Sequence, residues 1–171
     1  MIILGIDPGT ASTGYGVLAG DGRGLVSLLE CGVIRTRARE PLPARLHEIY
    51  AGVSELLARH RPDGMSVEDV FYAKNVRTTV VLGHARGVVL LAGQQAGVSI
   101  HELAPAEIKK AVVGSGAATK EQVQFMLMRL LRLKTVPQPC DAADGIAAAL
   151  AYLMSARVPT LSMAHASHGH A

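Results

Sequence analysis

An uninterrupted apolar run, Ile2-Ile3-Leu4-Gly5-Ile6, stops at Asp7-Pro8-Gly9. A short apolar segment ended by turn residues reads as a buried strand, and this one carries an acid at its tip. Such a strand needs cover on both faces, and the composition supplies it. Of all residues 49% are hydrophobic and 18% charged, more apolar than a disordered chain can be. At 171 residues the chain has the length of one domain, which excludes a repeat array or a multidomain machine. With four Tyr, two Phe and no Trp the packing is aliphatic, so an exposed aromatic would stand out.

Tyr15 to Leu18 and Leu25 to Ile34 read as two further strands around the hairpin signal Gly20-Asp21-Gly22, giving an antiparallel meander. From Leu42 the period changes. Leu42, Leu46, Ile49, Val53, Leu56 and Leu57 form the stripe of an amphipathic helix ending near Arg61-Pro62. Gly64 to Val70 reads as a buried strand carrying Glu68, and Ala73 to Thr78 as a polar linker. Thr79 to Gln95 is apolar nearly all round, which predicts a helix covered on both sides, by the sheet and a second copy of the chain or wholly within its own domain. Val98 to Leu103 is a fifth strand, Pro105 to Val113 and Thr119 to Leu131 are helices, and a last helix runs from about Asp141 to Arg157. The expected architecture is α/β, a mixed five-stranded sheet with helices on both faces, formed by residues 1–157. Residues 158–171 read as a disordered His-containing tail, and a metal-binding tail is the less favoured alternative.

The longest uncharged stretches are shorter than the ~20 residues of a membrane span, and Met1-Ile2-Ile3-Leu4 lacks the basic start of an export signal. A cytoplasmic protein is expected, with Cys31 and Cys140 as free thiols. The net charge of +3 is modest, but its distribution is uneven. Between Pro105 and Cys140, Lys109, Lys110, Lys120, Arg129, Arg132 and Lys134 face only Glu107 and Glu121, a surplus that suits a phosphate ligand beside a metal and, on charge alone, equally a solvated helix face.

Four acids stand out. Asp7 alone is a normal turn residue. Glu68, inside Met65-Ser66-Val67-Glu68-Asp69-Val70, is costly to bury unpaired. Asp141 and Asp144 share one face at the start of the last helix, where acids also cap free N–H groups. If the strands bearing Asp7 and Glu68 are neighbours, their side chains start ~4.8 Å apart, and a helix N-terminus laid across them adds two carboxylates. Left empty, that cluster repels itself and raises the pKa of at least one member; divalent cations neutralise it. Oxygen-only ligands select Mg²⁺ or Mn²⁺ over zinc. Two ions ~3.5 to 4 Å apart would align a water on a phosphodiester and stabilise the leaving 3′ oxygen.

Five blocks occur in order: Gly5-Ile6-Asp7-Pro8-Gly9 with Thr13-Gly14-Tyr15-Gly16; Val67-Glu68 with Val70-Phe71-Tyr72-Ala73-Lys74-Asn75; Leu82-Gly83-His84-Ala85-Arg86-Gly87; Lys109-Lys110-Ala111-Val112-Val113-Gly114-Ser115-Gly116; and Asp141-Ala142-Ala143-Asp144. Together, from residue 2 to about 154, they resemble the bacterial RuvC family of Holliday-junction resolvases. The resemblance implies an RNase H-like fold, a homodimer, and paired symmetric nicks across a four-way DNA junction in recombination and repair. It implies a divalent metal, Mg²⁺ with Mn²⁺ as the alternative and two ions per subunit, and work alongside RuvA and RuvB. By position it assigns Asp7, Glu68, Asp141 and Asp144 as catalytic and metal-binding carboxylates, Lys109 and Lys120 as contacts to the DNA backbone, and Phe71 as an aromatic wedged against bases. Gly145-Ile146 departs from the usual Ala-Leu after the last Asp, a change expected to loosen that helix.

Lysines around a Gly-Ser-Gly loop suit a phosphate independently of any resemblance. Lys74 and Arg77 are weaker candidates for DNA contact, each equally readable as a solvated loop charge. Phe71 would gain ~1 to 3 kcal/mol by stacking on a base, or sits in the core; Tyr72 is a second possibility. Symmetric cuts require two sites, and a C2 dimer supplies them.

Two rivals remain at this level. Gly5-Ile6-Asp7 with Gly9-Thr10 also resembles the first phosphate loop of actin and sugar-kinase ATPases, which need two such domains where this chain supplies one. The other is a junction-binding protein that does not cut, or an RNase H-like nuclease for another nucleic acid such as an RNA–DNA hybrid.

Overall fold

The computed structural model describes residues 1–69 and 76–156. At its centre lies the opening apolar run, strand β1 (Ile2–Asp7), whose Ile3, Leu4 and Ile6 are fully buried. β2 (Ser12–Gly20) and β3 (Val26–Arg35) continue it as an antiparallel meander. The Asp21 carboxylate closes their hairpin by accepting from the N–H groups of Arg23 and Leu25 at 2.8 and 3.0 Å, the local bonding that makes Asp a turn residue. After helix α1 (Leu42–His60), β4 (Gly64–Glu68) lies parallel to β1; after α2 (Val76–Gln95), β5 (Ser99–Leu103) lies parallel to β4. Helices α3 (Pro105–Val113), α4 (Lys120–Leu130) and α5 (Cys140–Ser155) follow, and the sheet order is β3-β2-β1-β4-β5.

Strand alternation sorts the core into two layers. Leu4, Ile6, Val17, Met65 and Val67 pack beneath α1 and α2, against Ile49, Val53, Leu56, Ala85 and Val89. Ile3 and Leu18 face the other way, into a cluster built by α3, α4 and α5 around Ile108, Leu127, Ile146 and Leu150. Helices therefore cover both faces, as expected, and Asp7, two positions beyond Gly5 and four beyond Ile3, belongs to the α5 side.

Helix α5 approaches the sheet unusually closely because both surfaces are small. Its buried face is largely Ala, and it crosses the glycines of β1 and β2. A Cβ on Gly14 would stand 1.9 Å from the Asp141 carbonyl oxygen, and one on Gly145 would stand 2.5 Å from the Tyr15 Cα. Gly145 thus does not loosen the helix, which runs unbroken; its missing side chain lets the helix lie against the β2 backbone. Gly14→Ala is expected to cost about 1–3 kcal/mol, measurable by urea unfolding, because backbone rather than a pliable side chain blocks the new methyl. Unchanged stability would show that α5 is free to shift.

Two expectations change. Helix α2 starts at Val76, so Arg77 and Thr78 belong to its first turn and not to a linker. Its expected cover is one-sided: Ala85, Val89 and Ala92 are buried, while Val80 and Leu91 are about half exposed, at 52% and 49%. A helix enclosed by its own domain is therefore excluded. Cys31 and Cys140 are free thiols, and Cys140 is exposed rather than a buried filler. Residues 158–171, read as the tail, lie outside the described residues.

Candidate active site

β1 and β4 are neighbours, parallel, with Ile6 opposite Val67. Asp7 and Glu68 occupy the next position on each strand, level with one another and on the same face. The turn after Asp7 is held by Thr13, fully buried, whose hydroxyl donates to the Gly9 carbonyl at 2.7 Å and accepts from the Gly9 N–H at 3.3 Å. β2 pairs Gly14 with Asp7, and the close approach at Gly14 brings the first turn of α5, with Asp141, down onto the same spot. Asp144 follows one turn later.

Asp7, Glu68 and Asp144 line one cavity of about 240 Å³ with Lys109 from α3 and Lys120 from the start of α4; Ile108, Val123 and Ala147 supply apolar wall. Asp141 is outside that lining but near enough to act on Asp7 electrostatically. A larger hollow of about 710 Å³ lies between the C-terminal ends of α1 and α2, yet Asp63 is its only acid. Chemistry, not size, singles out the smaller cavity.

The cavity's electrostatics are those of a crowded carboxylate cluster. Burial, then Asp144 and Asp141, push the Asp7 carboxyl from 3.8 up to about 7. Burial, then Asp7 and Asp144, push Glu68 from 4.5 up to about 8, against the opposing pull of Lys109 and Lys120. Lys120 donates from Nζ to Asp144 Oδ2 at 2.7 Å, which raises its own pKa. Its ammonium is a cation drawn among the acids, the role a metal ion would fill more completely. Asp141 and Asp144 are not helix caps: the α5 N-cap is Pro139, and no side chain caps the free N–H groups there. Among the described residues no three His, Cys, Asp or Glu side chains converge closely enough to grip an ion as they stand. The donor set is nevertheless all carboxylate oxygen, which fits Mg²⁺ or Mn²⁺, and Asp144 would have to leave Lys120 to join it.

Of the other expected site residues, Phe71, Tyr72 and Lys74 lie outside the described residues. Arg77 is exposed in the first turn of α2 and does not line the cavity. Sequence reasoning passed over Arg86. From α2 its Nη2 reaches Asp69 Oδ1 at 3.3 Å and also pairs with Glu102, tying the residue after Glu68 to β5 on the sheet face opposite the cavity. A cation in the middle of an apolar helix was the signal. Its two acidic partners, 17 and 16 positions away in sequence (86 − 69 and 102 − 86), gave no sign of meeting it.

The family model described as "Crossover junction endodeoxyribonuclease RuvC" matches residues 3–152. Curated relatives named crossover junction endodeoxyribonuclease RuvC include one from Syntrophomonas wolfei, 43% identical and aligned over 92% of this chain and 91% of its own. Another, from Chloroflexus aggregans, is 46% identical over 94% and 96%. The Thermus thermophilus RuvC structure superposes with a TM-score of 0.85 at 38% identity, covering 92% of this chain and 96% of that one. T. thermophilus RuvC in complex with Holliday junction substrate superposes at 0.87 and the same identity, over 92% and 95%. At 13% identity, the yeast mitochondrial Holliday junction resolvase Ydc2 shares the fold, with a TM-score of 0.63. An RNase H-like sheet and a family match spanning nearly every described element leave one assignment: this chain belongs to the RuvC family of crossover junction endodeoxyribonucleases.

Proposed function

We propose that the chain resolves four-way DNA junctions by paired symmetric nicks, hydrolysing phosphodiesters at the Asp7, Glu68 and Asp144 cavity. The observation that carries this reading is the meeting, in one cavity with two lysines, of carboxylates from segments far apart in sequence. Asp7, Glu68, Asp141 and Asp144 would hold Mg²⁺, two ions per subunit. When bound, such ions activate water and stabilise the leaving 3′ oxygen. Lys109 and Lys120, at the same opening, attract and orient the scissile phosphate. Lys120 also keeps one acid compensated by a mobile charge. The apolar wall of Ile108, Val123 and Ala147 limits water around the acids, so charge interactions there are stronger than in bulk solvent.

A second copy docked on the open face of α2, through Val80 and Leu91, would supply the second cut. RuvA and RuvB would be its working partners. No helix among the described residues is long and apolar enough to cross a membrane, in keeping with action on DNA in the cytoplasm.

Purified protein with Mg²⁺ is expected to nick a synthetic four-way junction at two symmetric positions while sparing linear duplex and RNA–DNA hybrid. A junction bound but never nicked, in Mg²⁺ or Mn²⁺, would leave only a binding protein. Cutting of the hybrid instead would assign a different substrate.

A further inference from the structure

The basic surplus recognised in the sequence lies after Pro105, but a second one lies elsewhere. Arg35, Arg37 and Arg39 alternate through five positions, with Glu40 the only acid beside them. All three are exposed, and none joins any ion pair among the described residues. Three like charges so close together repel one another and gain nothing for the fold, so their placement calls for an external anion.

The topology sets that placement. β1 runs toward Asp7, β2 runs back, and β3 runs forward again, so the end of β3 at Arg35 shares the sheet edge that carries Asp7 and Glu68. In the order β3-β2-β1-β4-β5 it stands two strands to one side of Asp7, roughly 10 Å. Lys109, on the helix that follows β5, approaches from the other side.

The loop is also held in place. Thr36 donates from its N–H to the Ala11 carbonyl at 3.1 Å and from its hydroxyl to the Thr10 carbonyl at 2.5 Å. Arg45 of α1 donates to that same Thr10 carbonyl at 2.5 Å and, from Nε, to the Thr36 hydroxyl at 3.0 Å. Thr10 lies in the turn that begins at Asp7. One arginine thus fixes the loop against the catalytic turn, which leaves the other three at a set offset from the carboxylates with their guanidiniums free.

We propose that the β3–α1 loop, through Arg35, Arg37 and Arg39, is a second DNA-backbone contact that grips phosphates of the strand or arm leaving the carboxylate cavity on the side opposite Lys109 and Lys120. The proposal rests on the junction-resolving reading above. Guanidinium forks match phosphate oxygens in a bidentate way, and a polyanion is the ligand that several evenly spaced cations fit.

The test measures binding of a fluorescent synthetic four-way junction in EDTA across a salt series, for the unaltered chain and for the triple variant Arg35→Ala, Arg37→Ala, Arg39→Ala, with circular dichroism to verify folding. Every phosphate that the loop no longer grips is expected to reduce the slope of log affinity against log salt by ~0.9. The slope of the variant should therefore be shallower by about two to three, and its binding at least tenfold weaker near 0.1 M salt. The matching triple Lys variant should keep most of the slope. A folded Ala variant with unchanged affinity and slope overturns the loop's role alone. An unaltered chain that fails to bind the junction at all overturns the reading on which it rests.

Discussion

Asp7→Asn is expected to abolish junction cutting, by about a thousandfold or more, while leaving metal-free junction affinity within about twofold. Asn keeps the size and one acceptor oxygen of Asp but removes the charge at the centre of the cluster, where β1, β4 and the start of α5 meet. Any cation the cavity could hold is drawn there by the charge of these acids, so the neutral side chain weakens metal occupancy out of proportion to its volume. The lysines and arginines proposed to face DNA are untouched, and binding is therefore expected to survive. The same substitution should raise the thermal midpoint of the metal-free protein, since the Asp7 carboxylate raises the cost of ionising Glu68 in that state. Cleavage at the normal rate by Asp7→Asn would remove Asp7 from the site.

The second large effect is a dependence of stability on pH that divalent ions erase. Asp7 and Glu68 have folded-state pKa values raised to about 7 and about 8, above the 3.8 and 4.5 of free carboxyls. The folded protein thus holds protons that the unfolded chain has released. The contribution of these groups is fully present below about pH 4 and is lost as pH rises through 7 to 8, at up to about 1.4 kcal/mol per pH unit for each group. In EDTA the thermal midpoint should accordingly fall between mildly acidic and mildly alkaline pH. Saturating Mg²⁺ should flatten that fall, because ions bound to ionised carboxylates stabilise the folded state where the repulsion is greatest. Asp7→Asn should flatten it as well, without metal. A midpoint equally insensitive to pH with and without Mg²⁺ would mean that the acids are neither crowded nor metal-binding.

Local signals carried most of the fold. The Gly20-Asp21-Gly22 hairpin is made by the bonding of Asp21 itself, and the stripe from Leu42 to Leu57 is the buried face of α1. Pro105 and the Thr119 cap mark the starts of α3 and α4 where the pattern put them. Asp7 alone reads as a turn residue; it became legible beside Glu68, an acid costly to bury unpaired in an apolar strand. What stayed hidden was the meeting of distant parts of the chain. Nothing near Lys120 signals that its ammonium turns toward Asp144, nothing near Arg86 signals Asp69 and Glu102, and the three loop arginines acquire meaning only from the direction of β3. The polar run Arg77-Thr78 misplaced the start of α2, because those residues are exposed and leave the apolar pattern to begin later.

The acids of the cavity enter the chain at its beginning, near its middle and close to its end, with α5 the last of the described elements in chain order. During synthesis, a growing polypeptide that has left the ribosome without its final helix owns Asp7 and Glu68 but neither Asp141 nor Asp144. On the proposed reading, incomplete copies, prematurely terminated or clipped before residue 140, lack two of the four carboxylates and are unarmed. The proposed cutting activity would thereby wait until residue 144 has emerged.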